Sequence, residues 1–302
     1  MSRTITVGID GSAESRAAAE WAAREAKLHG LPLRLLEVRE PLPEPVSQAL
    51  FRGAETAPAD GWEGVQREAA EGLRLRHPGI EVAAEQITGR PHEVLTKAAE
   101  DAELLVLGSR GMGAFAGFLV GSVGFAVVAR AERPVVLVRA GEQAADEHEP
   151  DPTGIPSAAT RYRPVLLGVD ADRPDDAVIR FAFAEAARRG TGLRVVHGWN
   201  LPPYYVHGLP ADPDMYQEVS AEQAATLAKV LVPWRAEFGG VEVTEESFGG
   251  SPSIRLIEAS RESSLVVVGR RVRRNPFGVR IGPIAHAVLH HSAAPVAVVA
   301  HD

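Results

Sequence analysis

The chain repeats itself. Residues 5–12, ITVGIDGS, align with residues 165–172, VLLGVDAD, placing Gly8 and Asp10 against Gly168 and Asp170 at an offset of 160. The same offset carries AAREAKLHGLPLRLLEV onto AFAEAARRGTGLRVVHG, with Gly30 against Gly190 and Leu33 against Leu193. Farther on the offset becomes 161: Gly89 and Pro91 meet Gly250 and Pro252, Gly108 meets Gly269, Gly121 meets Gly282, and Pro134 meets Pro295. A one-residue insertion is what a surface loop tolerates. Colinearity over this length marks two homologous domains of about 140 residues, and 302 residues is the length expected for two. The reading divides the chain into residues 1–140, a linker at 141–162 and residues 163–302. The linker is acidic, holds Pro150, Pro152 and Pro156, and has no apolar period. Its Asp146, Glu147 and Glu149 read as solvated charge.

Each half alternates strands and helices. In the first, ITVGID (5–10), LRLLEV (33–38), IEVAAEQIT (80–88), ELLVLG (103–108) and PVVLVR (134–139) read as strands. Helices are expected at 13–29, with Gly30 as C-cap, and at about 63–76, 92–101 and 121–131. The second half repeats this through VLLGVD, LRVVHGW, VEVTEESF, LVVVGR and PVAVVA. Near-continuous apolar strands separated by helices predict an α/β fold, a parallel sheet covered on both faces.

Composition removes several classes of function. There is no cysteine, which excludes disulfides, thiol catalysis and Cys-type zinc sites. The net charge of −8 speaks against non-specific binding to nucleic acid. No apolar run reaches the ~18 residues of a membrane span. Met1 to Asp10 lacks a basic region followed by a long apolar stretch, so no signal peptide is expected.

In open α/β sheets, ligands bind beyond the carboxyl ends of the strands. Asp10, Val38 and Gly108 fall there in the first half. After Gly108 runs GSRGMGAFAGFLVGS, whose glycines permit positive φ and close backbone approach to a ligand. Gly121-Ser122 then opens a helix, whose free N–H groups suit phosphate; a flexible loop with an N-cap serine accounts for the same letters. No G-x-x-x-x-G-K-[ST] occurs, which excludes a Walker-A NTPase. Gly111-x-Gly113-x-x-Ala116 satisfies G-x-G-x-x-G/A, but the helix starts too late for a dinucleotide fingerprint. Gly249-Gly250-Ser251-Pro252-Ser253 resembles a nucleophile elbow without its last glycine, and Pro252 suits a helix start instead. His286 and His290, one turn apart, have no evident third metal ligand and read as packing or solvent-exposed side chains. Asp10 and Asp170 lack a paired carboxylate nearby in sequence, so acid–base catalysis is not indicated.

The spacing Gly108-x2-Gly111-x9-Gly121-Ser122 resembles the nucleotide-binding motif of the universal stress protein family, G-2x-G-9x-G-[S/T]. VGIDGS, GRPHEVLTKAAEDAELLVLGSRGMG and ARAERPVVLVR are similar to the same family, and the likeness covers both halves. The resemblance implies two tandem Rossmann-like domains of the adenine nucleotide alpha hydrolase type, each a five-stranded parallel sheet of order 3-2-1-4-5. It implies that Asp10 and Val38 hold the adenosine part of ATP, and that Gly108, Arg110, Gly111, Gly113, Gly121, Ser122 and Val123 surround the ribose and phosphates. Mg2+ would ride mainly on the triphosphate, with no metal site of the chain's own. The last strands of the two halves would pair to form an internal pseudo-dimer, and two chains would associate further as a homodimer. The implied protein is cytoplasmic, contacts neither nucleic acid nor membrane, and works as an ATP-dependent stress-response switch. The alternatives are a slow ATPase, for which no base to activate water is evident, and a structural protein with a non-functional second site.

The second half departs from the motif. Asp170, Gly269 and Gly282 remain, but Val272 stands at the position of Gly111, Pro283 at that of Ser122, and Gly198 at that of Val38. Proline brings neither hydroxyl nor N–H. Arg270, Arg271, Arg273, Arg274 and Arg280 crowd the same loop, where the first half has Arg110. Either these guanidinium groups replace the lost donors, or the site takes another anion, or they form an exposed basic patch. Tyr204, Tyr205 and Tyr216, between residues 200 and 219, read as packing over the sheet edge or as an aromatic surface for a base or partner.

Overall fold

The computed structural model describes residues 3–40, 60–109, 121–200, 213–272 and 281–302. They form two compact units that part between Gly141 and Glu142. The first unit runs β1 (Thr4–Ile9), α1 (Ala13–His29), β2 (Leu33–Arg39), α2 (Asp60–Arg76), β3 (Val82–Thr88), α3 (Pro91–Asp101), β4 (Ala102–Ser109), α4 (Ser122–Val128) and β5 (Val135–Arg139). Its strands are all parallel and lie in the order β3-β2-β1-β4-β5. The second runs β6 (Val165–Gly168), α5 (Asp176–Arg189), β7 (Leu193–Trp199), α6 (Pro213–Glu237), β8 (Val243–Gly249), α7 (Pro252–Ala259), β9 (Leu265–Arg271), α8 (Pro283–His291) and β10 (Val296–His301). Its order, β8-β7-β6-β9-β10, repeats the first, and its pairs are also parallel. Both sheets have the predicted 3-2-1-4-5 order.

Burial explains the strand pattern. Leu104, Leu105 and Val106 on β4 and Val266 and Val267 on β9 are each at most 1% exposed, as central strands covered on both faces require. On α1, Ala18, Trp21, Ala22 and Ala26 form the buried face at helical spacing. Gly30 closes that helix at φ 63° and Gly190 closes α5 at φ 59°, a left-handed conformation that glycine adopts without a Cβ penalty. Pro91 and Pro252 each occupy the first turn of a helix, where the missing N–H costs nothing. α4 ends at Val128, three residues short of the expected end, and the chain turns at Ala129 and Arg130.

The repeat is inexact where it matters most. α1 and α5 end at matched glycines, yet α1 has 17 residues and α5 has 14. In the first unit Ser12 caps α1, its hydroxyl accepting from the amide of Ser15. In the second, Pro174 holds the chain out of helix for longer, and Asp175 caps α5 by accepting from Ala177 and Val178. The β6–α5 loop therefore opens by almost a turn.

Residues 142–162 carry structure of their own. Ala144–Glu147 form a short 3-10 turn in which Gln143 and Asp146 cap each other reciprocally. His148 stacks on Tyr162 with ring centroids 4.0 Å apart, and the amides of Glu149 and Arg163 bond back to Arg161 and Glu147. Asp146 and Glu149 are exposed as expected, but Glu147 is 1% exposed, so that part of the acidic run is not solvated.

Candidate functional site

β1 delivers Asp10 to the carboxyl edge of the first sheet. Gly11 follows at φ 78°, which only a residue without Cβ adopts cheaply. The Asp10 Oδ1 accepts from the Ser12 amide at 3.0 Å and the Ser12 hydroxyl at 2.5 Å, and the Asp10 amide donates to the Ser15 hydroxyl at 3.3 Å. Asp10 thus builds the turn that starts α1 while its carboxylate stays exposed. Partial desolvation pushes its carboxyl up, but the bonds from Ser12 and Ser15 outweigh this and hold it below the ordinary value of 3.8.

A depressed folded-state value means that the stability from this charge is complete above 3.8 and is lost as pH falls through the lowered value. Asp10→Asn is therefore expected to be less stable than the wild type at neutral pH, with the gap closing on the acid side of 3.8. Urea midpoints of both proteins in the two ranges measure this. A gap that does not change with pH removes the charge from the turn's energetics.

Val38, one residue from the end of β2, is half-buried. Gly108, one residue from the end of β4, has a packing cause that its sequence context did not suggest. A Cβ there would lie 2.6 Å from the backbone carbon and 2.8 Å from the carbonyl oxygen of Glu14, in the first turn of α1. Gly121 is the N-cap of α4 at φ −54° and ψ 143°, Ser122 is its exposed first residue, and Val123 is half-buried. Arg110, Gly111 and Gly113 lie outside the described residues, as do Arg273, Arg274, Arg280, Tyr204 and Tyr205.

In the second domain the carboxyl ends of β6, β7 and β9 surround a cavity of about 790 Å³. Asp170, Gly269 and Gly282, the motif positions that the second half keeps, line it together with Arg271. Arg270 does not: successive side chains of a strand point to opposite faces, and Arg270 is 4% exposed on the other side of β9. The neighbouring arginines, one group in the sequence, thus serve different surroundings.

Each of the four residues has a distinct local setting. Asp170 accepts from the Asp172 amide at 3.2 Å and lies 3.6 Å from the Arg173 guanidinium. A Cβ on Gly269 would meet the His301 imidazole at 2.9 Å and Val178 at 3.2 Å, with no helix backbone in the way, because α5 starts late. His301 in turn lies 3.5 Å from the Asp175 carboxylate that caps α5. Gly282, the N-cap of α8, sits at φ −64°, and among the described residues no atom lies within 4 Å of where its Cβ would be. Neither its backbone conformation nor packing among the described residues requires glycine there, and Gly282 lines the cavity.

The cavity also recruits residues that no short motif marked. His197 and Trp199 stand on β7 where the first half has Glu37 and Arg39. Gln223 comes from α6 and His301 from the end of β10. Gly198, the counterpart of Val38, is needed because a Cβ would lie 2.9 Å from the Pro252 ring. Pro252 begins α7, so the elbow-like Gly249–Ser253 segment is a strand-to-helix turn, and its Ser251 and Ser253 hydroxyls lie 2.8 Å apart. Tyr216 packs on Trp199 with centroids 5.4 Å apart, the sheet-edge role among those considered for it. His286 and His290 face each other on α8 at 4.5 Å, and among the described residues no third His, Asp or Glu joins them in a metal set.

Comparison with known proteins agrees with this architecture. The universal stress protein family profile matches residues 1–139 and again 161–300. A universal stress protein of Mycolicibacterium smegmatis is 32% identical over 300 residues, spanning 98% of this chain and 96% of that one. One from Mycobacterium tuberculosis is 31% identical over 308 residues, spanning 97% and 96%. Among solved structures, a universal stress protein from Archaeoglobus fulgidus superposes with a TM-score of 0.68 at 18% identity, covering 100% of both chains. No helix among the described residues is long and apolar enough to cross a membrane.

Proposed function

Because the chain belongs to the universal stress protein family, we propose that it is a cytoplasmic stress-response protein that binds ATP, chiefly in its first domain, and changes its partners with occupancy. The observation that carries this reading is the second-domain cavity. The residues of one repeat that match Asp10, Gly108 and Gly121 of the other converge there, with Arg271, on a single space of about 790 Å³. That volume lies within the range of small-molecule sites. The match between the repeats extends the arrangement to the first domain, which keeps the hydroxyl of Ser122 where the second has Pro283.

On this reading Asp10 and Val38 would hold the adenosine. Gly108, Arg110, Gly111, Gly113, Gly121, Ser122 and Val123 would surround the ribose and phosphates, and Mg2+ would ride on the triphosphate. The donor set fits: a serine hydroxyl, an arginine and glycine backbone all offer hydrogen-bond donors, which phosphate oxygens need. In the second domain Asp170, Gly269, Arg271 and Gly282 would form the poorer site, since Pro283 supplies neither hydroxyl nor N–H.

The test is to denature the purified protein and to identify and count the nucleotide released per chain. The reading expects about one ATP, held by the first domain. About two nucleotides would extend tight binding to the second cavity. None released, and none taken up on titration with ATP and magnesium, would leave a structural role in its place.

A further inference from the structure

His197, on β7 at the wall of the second-domain cavity, is 2% exposed. Its Nδ1 lies 3.3 Å from the Ala171 amide nitrogen and 3.2 Å from the Val169 carbonyl oxygen. Its Nε2 lies 2.9 Å from Oε1 of Gln223 on α6. An amide N–H can only donate, and a carbonyl can only accept. With its proton on Nε2, the ring accepts from Ala171 and donates to Gln223. With its proton on Nδ1, the ring donates to Val169 and the Ala171 N–H loses its acceptor. A buried N–H without an acceptor is rarer than an under-satisfied carbonyl, so the first arrangement is the better one. It turns the Gln223 carbonyl toward the histidine. The –NH2 end has no hydrogen-bond partner among the described residues, and Gln223 lines the cavity.

This donor stands over β7, whereas Gly269 and Arg271 belong to β9, and Gly282 follows β9 in the chain; β6 pairs between the two strands. Adjacent strands are about 4.8 Å apart, which separates the two ends of the cavity by about 10 Å. One end asks for a hydrogen-bond acceptor and the other for an anion, which suits a nucleotide lying base to phosphate across β6. The first domain differs at the base end. At the position of His197 it has Glu37, an acceptor, 3.8 Å from Arg39.

Resting on the nucleotide reading above, we propose that Gln223, oriented by His197, selects the ligand of the second-domain cavity. The favoured ligand is a nucleotide whose base turns a carbonyl toward the amide, as a 6-oxopurine does. A base that turns an amino group there sets donor against donor and is rejected.

The test uses the full chain carrying Gly121→Val, which disables the first site, in equilibrium dialysis with GTP and with ATP. GTP is expected to bind about tenfold more tightly than ATP. Adding Gln223→Glu, which exchanges the –NH2 for an acceptor oxygen at constant shape, is expected to reverse that order. Equal affinities that Gln223→Glu does not move overturn the selection and leave the nucleotide reading standing. Binding of neither nucleotide overturns the nucleotide reading of this cavity, and the selection with it. The imidazole ¹⁵N shifts of His197 in the wild-type protein give a check that needs no ligand: an Nε2–H tautomer supports the presentation, and an Nδ1–H tautomer overturns it.

Discussion

Gly108→Ala is expected to destabilise the first domain by about 3 kcal/mol, the upper end for adding a methyl group to a packed interior. The added Cβ would sit 2.6 to 2.8 Å from the backbone carbon, the carbonyl oxygen and the Cβ of Glu14. A flexible side chain can swing away from such a contact, but the first turn of α1 cannot. It is pinned by the Ser12 cap and by the Asp10 turn beneath it. β4 and α1 must therefore separate, or α1 must lose its first turn. The matched change Gly269→Ala is expected to cost less. There the new methyl group meets the tip of the His301 ring at 2.9 Å, and the ring can rotate. Thermal or urea unfolding of the two variants measures the difference; equal costs would show that the β4–α1 contact does not set the requirement for glycine.

Gly121→Val has the opposite profile: nucleotide binding in the first domain is expected to fall on the order of 100-fold, equivalent to about 2.7 kcal/mol, while the fold persists. At φ −54° and ψ 143°, Gly121 occupies extended backbone open to any residue. As an N-cap without a side-chain hydrogen bond, it forfeits no capping contact on replacement. A branched side chain at that point crowds the approach to Ser122 and to the free amides of the first turn of α4. Equilibrium dialysis with ATP, beside circular dichroism and a melting curve, separates the two effects. Unchanged affinity would remove Gly121 from the site, and a lost fold would show that this glycine, like Gly108, is structural. The two glycines, both assigned to one motif by spacing, are thus expected to fail in different assays.

Much of the fold was legible in the sequence because the repeat supplied each pattern twice. Strand identity and the helix C-caps at Gly30 and Gly190 follow from apolar runs and single residues, which are local properties, whereas the 3-2-1-4-5 sheet order came from the family resemblance. The candidate site was legible to the extent that it is local. Asp170, Gly269, Arg271 and Gly282 follow from aligning one half with the other, and they meet in one cavity. Three things were not legible. Arg270 and Arg271 read as one basic group, and the pleat of β9 separates them. Glu147 read as solvated from its acidic neighbours, and in the fold it is 1% exposed. His197 and Gln223 are 26 residues apart, on a strand and a helix, with no spacing rule to join them.

What the sequence determined by itself is what depends on the order of residues along the chain. It set two α/β domains of one topology, the turns and caps that punctuate them, and the loops that carry a glycine-rich motif. The tertiary structure decided what stands across from each of those residues. Gly108 and Gly269 are the same letter at matched positions, yet one faces the backbone of α1 and the other the ring of His301. The difference comes from Pro174, which delays α5 by nearly a turn, and from a histidine contributed by the far end of the domain. A contact of that kind depends on two segments meeting in space, and a pattern read along one of them does not contain it.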